Sequence, residues 1–70
     1  MNKYLLPVCD EWFPYIVSTS ARNMEEAENR LMSKLVGQYD LDVPADWDDF
    51  CEIAANSQLY IGELRDIEEF

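Results

Sequence analysis

The chain has 70 residues, with fifteen Asp and Glu against five Lys and Arg, no His and two Cys. This length holds one domain, with a core close to the lower limit of what can sustain a fold alone. The net charge of −10 opposes direct contact with nucleic acid or an anionic membrane, and the lack of His removes the ordinary general base, imidazole metal ligand and near-neutral pH switch.

Apolar residues make up 49% of the chain and charged ones 29%, a globular profile rather than a disordered one. No apolar run approaches the roughly 20 residues of a spanning helix. The short run after Lys3 has neither the length nor the cleavage site of a secretory leader. A cytoplasmic protein is therefore expected, with Cys9 and Cys51 as free, buried thiols.

The charge is unevenly placed. Residues 1–35 carry Asp10, Glu11, Glu25, Glu26 and Glu28 against Lys3, Arg22, Arg30 and Lys34, whereas residues 36–70 carry ten acids against Arg65 alone. The first half is nearly neutral.

In chain order, Lys3–Cys9 reads as a strand, and Asp10-Glu11 breaks it. Tyr15–Ser20 is rich in β-branched and aromatic residues and reads as a second strand, with Pro14 tolerated at its start. Their spacing predicts an antiparallel hairpin with a loop of four or five residues. Asn23 is an N-cap, with Glu26 as its capping-box partner. Behind it Met24, Ala27, Leu31 and Leu35 recur at helical spacing, and Glu26 and Arg30 form a four-residue ion pair. Gly37 weakens the last turn. The segment 40–45 is a connector, because Pro44 biases Val43 toward extended backbone.

Asp46 caps a second helix from Trp47 to about Ala55, with Trp47, Phe50, Cys51 and Ala54 on one stripe. Asn56-Ser57 ends it, and residues 58–64 alternate as a third strand with Leu59 and Ile61 on one face. The tail, with Leu64, Ile67 and Phe70 every third residue, suits a helical turn or an irregular strand. The expected fold is α+β: a three-stranded antiparallel sheet with two helices on one face, in the order β-β-α-α-β, as one compact domain. Leu5, Ile16, Leu31, Leu35, Phe50 and Ile61 would share the core.

The acidic run 40–49 invites comparison with a calcium loop. Counted from Asp40, its fifth, sixth and twelfth positions are Pro44, Ala45 and Cys51, where that loop wants an oxygen ligand, Gly and Glu. Cysteine catalysis lacks a base, and neighbouring Asp10 and Glu52 oppose thiolate formation. No Cys-x-x-Cys pair, serine triad or phosphate-cradling glycine loop is present. No catalytic residue, metal or cofactor is assigned. What remains is surface: Asp40, Asp42, Asp46, Trp47, Asp48, Asp49 and Glu52 form a candidate partner-binding set, an aromatic anchor ringed by acid. The competing reading puts Trp47 and Phe50 against the core.

The segment Val17–Ala27, a strand leading into an Asn-capped helix, resembles small proteins of Gram-positive phages and mobile elements, and the DpnD/PcfM-like proteins share this strand-to-helix pattern. The opening 3–9 and the ending 61–70 are similar to theirs too. The resemblance implies a phage or mobile-element context and no mechanism. The reading is a non-catalytic binding protein that contacts a basic protein surface by stoichiometric association. A sharper version is a DNA mimic of the anti-restriction or anti-CRISPR type, occupying a nucleic-acid-binding protein. The alternative is a homodimeric or larger structural accessory protein.

Overall fold

The computed structural model describes residues 2–67. The chain runs β1 (Asn2–Cys9), β2 (Pro14–Ala21), α1 (Met24–Tyr39), α2 (Trp47–Asn56), β3 (Tyr60–Ile61) and β4 (Arg65–Asp66). It is an α+β fold. The hairpin β1–β2 pairs from Asn2 opposite Ala21 to Cys9 opposite Pro14, across a four-residue loop. Asp10 closes that loop: its Oδ1 accepts the N–H groups of Trp12 at 2.8 Å and Phe13 at 2.7 Å. These bonds favour the charged carboxylate and hold its pKa below the ordinary value.

The antiparallel sheet has β1 in the centre, β2 on one side, and β3 and β4 on the other. Of the third strand expected over 58–64 only Tyr60–Ile61 forms, and a further short strand follows at Arg65–Asp66. β3 places Ile61 opposite Val8, but β4 places Arg65 opposite Leu5, so one extra residue intervenes. The cause lies in β1. Pro7 has no N–H to give to a ladder, and the chain bulges opposite it. Only the Pro7 carbonyl is used, accepting the Gly62 N–H at 2.8 Å. The extra residue also turns Leu64 inward, where it packs against both groups of buried side chains.

Alternation along β1 and β2 sends Tyr4, Leu6, Val8, Val17 and Ala21 inward, beneath Ala27, Leu31 and Leu35 of α1 and Phe50 and Ala54 of α2. Two expected core residues are displaced. Ile16 is exposed and Leu5 is half-buried, both on the outer face, while Ile61 packs at the core margin. Residues 4–9 are apolar on both sides of the pleat, so alternation alone does not select the inner face. Cys9 faces outward and is exposed, contrary to expectation, and Cys51 is half-buried.

The first helix begins as its sequence predicts, with Asn23 Oδ1 accepting the Glu26 N–H at 2.8 Å. The Glu26 carboxylate does not return to the cap. It lies between Arg22 at 2.8 Å and Arg30 at 2.9 Å, and the hydrogen bond from Arg22 leads in depressing its pKa. α1 continues past Gly37 to Tyr39. The second helix ends in a Schellman motif. Gln58 N–H bonds to Ala55 O at 3.0 Å and Leu59 N–H to Ala54 O at 2.8 Å, which buries Leu59 against Ala54. In the tail Arg65–Asp66 is extended, and the reading for 68–70 lies outside the described residues.

Candidate interaction surface

The acidic candidates have separate local roles. Asp46 is the N-cap of α2, its Oδ1 accepting the Asp49 N–H at 2.8 Å, and Asp49 Oδ2 accepts the Ala45 N–H at 2.8 Å. These two carboxylates are occupied in starting the helix. Asp40 closes α1 in the left-handed region, and Asp42 is exposed in the connector. Trp47 is half-buried, packed on the core with its ring 5.2 Å from that of Phe50. Asp48 and Glu52 are exposed on α2.

Asp48 faces α1. Burial pushes the Glu28 carboxyl above its ordinary pKa, and the charges of Glu25 and Asp48 add to the effect. Burial likewise raises the Cys51 thiol, followed by Asp48 and Glu28. The acids that act on Cys51 are therefore Asp48 and Glu28 rather than Glu52. Such a thiol is a poor nucleophile at neutral pH. Among the described residues no group of three or more Cys, Asp or Glu is placed to hold a metal ion. None of their helices is long and apolar enough to cross a membrane.

The side chains that gather are on the opposite side of the molecule. Both helices pack on one face of the sheet, and the other face is open. Trp12, Phe13, Ile16 and Tyr60 are 77, 70, 64 and 58% exposed. Pro7, Cys9, Pro14, Ile16, Tyr60 and Gly62 line an apolar groove of about 590 Å³ across the hairpin and β3. Tyr60 and Ile16 are exposed on its lining, and Trp12 and Phe13 are exposed in the loop between Cys9 and Pro14; exposed aromatics and an apolar depression are the composition of an interface. The sequence held a signal for part of it: Trp12-Phe13 lies in a hairpin loop, where no sheet face exists to bury either ring.

The groove end of the molecule is acidic and braced. Asp10 and Glu11 follow Cys9 in the chain, and Glu63 follows Gly62. Arg65 bonds Glu63 at 3.1 Å. Behind the loop, the Tyr15 and Tyr39 hydroxyls are hydrogen-bonded to each other, and Tyr39 donates to Asp10 Oδ2 at 3.4 Å. Burial and these partners drive the Tyr39 hydroxyl above its ordinary pKa. The contacts fasten the hairpin loop to the end of α1. No family model matches this chain, and no curated protein or solved structure is significantly similar to it.

Proposed function

We propose that this protein is a non-catalytic binding module that contacts a basic protein surface in stoichiometric fashion, seating it on the open face of the sheet. The observation that carries this reading is the apolar groove lined by the exposed Ile16 and Tyr60, with the exposed Trp12 and Phe13 in the loop between Cys9 and Pro14 of its lining, on a chain of net charge −10. Aromatic anchors supply contact area, and the acidic rim selects a cationic partner and accelerates its approach. The resemblance of 17–27 to phage and mobile-element proteins supports a setting in which such a partner belongs to the host.

Mimicry of nucleic acid is the second reading. It is favoured by the exposed Asp42, Asp48 and Glu52, which no cap or ion pair engages among the described residues. Two variants separate the readings. Trp12→Ala/Phe13→Ala removes the anchors, and Asp42→Asn/Asp48→Asn/Glu52→Gln removes charge without touching a cap. Partners captured from lysate by the wild type are compared with those retained by each variant across a salt series. Loss of at least tenfold in the aromatic variant supports the sheet face. Loss confined to the charge variant and to high salt supports mimicry. Partners retained equally by both variants overturn both readings.

A further inference from the structure

The two edges of the sheet are treated differently. On one side β3 and β4 are two residues each, interrupted by the bulge at Gly62, with Glu63 between them and both residues of β4, Arg65 and Asp66, charged. Short length, a bulge and charge are the devices that prevent an edge from pairing with another chain. On the other side β2 runs unbroken for eight residues, Pro14–Ala21, without one charged side chain. Only its Pro14, at one end, hinders pairing.

The hydrogen-bonding groups of β2 can be assigned. Asp10 N–H bonds to Phe13 O at 3.2 Å, and Gly62 N–H reaches Pro7 O from the opposite side of β1. With the Cys9–Pro14 register, antiparallel alternation then directs the N–H and C=O groups of Tyr15, Val17 and Thr19 toward β1. Those of Ile16, Ser18 and Ser20 point outward. All three residues are exposed, and among the described residues no backbone hydrogen bond from another element reaches them.

We propose that two copies of this chain pair antiparallel through β2, with Ser18 opposite the partner's Ser18 and Ile16 opposite the partner's Ser20. The register is self-complementary. The pairs centred on Ser18 exchange backbone hydrogen bonds on both sides, no like charges lie opposite each other, and Pro14 falls at the end, opposite the partner's Arg22. Charge permits a second copy here: β2 carries no charged side chain, and ten of the fifteen acids lie in residues 36–70, whose strands form the far edge, so the pairing strands meet without like charges. The blunted β3–β4 edge stops growth at two chains. Pairing along the edge leaves the outer face open, so the dimer presents two grooves on one continuous sheet. The proposal stands on the edge alone and does not depend on what the groove binds.

Sedimentation of the full chain from about 10 µM to 1 mM, a range suited to a small interface, gives the test. The wild type is expected to move from one-chain to two-chain mass with rising concentration and to stop there. Amide exchange at Ile16, Ser18 and Ser20 is expected to slow in parallel. Ser18→Pro removes an outward N–H that β1 does not use, and Ser18→Lys sets like charges face to face on the dimer axis. Both variants should remain single chains at the highest concentration. Circular dichroism verifies the fold of each, and Ser18→Lys decides the matter if the proline variant unfolds. A wild type that stays monomeric, a dimer that survives Ser18→Lys, or growth past two chains overturns the proposal.

Discussion

Asp40 at φ 53 and Gln58 at φ 63 end the two helices in the left-handed region without being glycine. Each bears the steric cost of a Cβ in that region, and Asp40 also places a negative charge at the negative end of the α1 dipole. Both already donate the closing hydrogen bond, to Val36 O and Ala55 O respectively, so the geometry is retained when the side chain is removed. Asp40→Gly and Gln58→Gly are each expected to stabilise the fold by about 1 kcal/mol. In thermal unfolding that is a rise of roughly 4–8 °C for a domain of this size. An unchanged or lowered midpoint would mean that the native side chains compensate through interactions beyond the cap. Asp46 shows the opposite economy: it reads as acid available to a partner, yet it caps a helix.

At the scale of elements, the two glycines have opposite meanings. Gly37 lies in α1, and a Cβ there meets nothing within 4 Å. Gly37→Ala is expected to add about 1 kcal/mol through helix propensity alone. Gly62 lies on the bulge, where a Cβ would stand 3.0 Å from the Pro7 carbonyl oxygen and 3.1 Å from its Cβ. The oxygen belongs to the central strand and cannot withdraw. Gly62→Ala is expected to destabilise by about 1–3 kcal/mol, as overpacking does, and Gly62→Val by more. Denaturant midpoints of the pair measure the difference in sign. The helices were legible because their caps and apolar spacing are local. Pro7 was legible as an apolar strand residue, but its consequence, a bulge between two short strands some fifty residues later, exists only once the two segments are neighbours.

For the whole molecule, pH acts in two directions. Asp10 and Glu26 have depressed folded pKa values, so their stabilisation is present at neutral pH and is lost as pH falls through those values, below about pH 4. Glu28 is raised, so its ionised form destabilises the fold at neutral pH, and that effect disappears as pH falls through the raised value. Self-repulsion at −10 weakens over the same descent. The melting temperature at low salt is therefore expected to rise from pH 7 toward about pH 5 and to fall below about pH 4. Glu28→Gln should diminish the rise. A midpoint that declines steadily from pH 7 would contradict this balance.

The sequence by itself determined the α+β class, the order of the main elements, both N-caps and the asymmetry of charge, because each follows from residue type or from spacing within a dozen positions. Only the tertiary structure decided which face of the hairpin is buried. The run 4–9 is apolar on both sides, and the choice rests with Leu31 and Leu35 arriving over Leu6 and Val17, and Ala27 over Tyr4 and Ala21, rather than over Leu5 and Ile16. That choice left Ile16 exposed on an open sheet face at the hairpin end and placed Trp47 against the core beside Phe50. A strand records its period locally, but its direction is fixed by what packs against it.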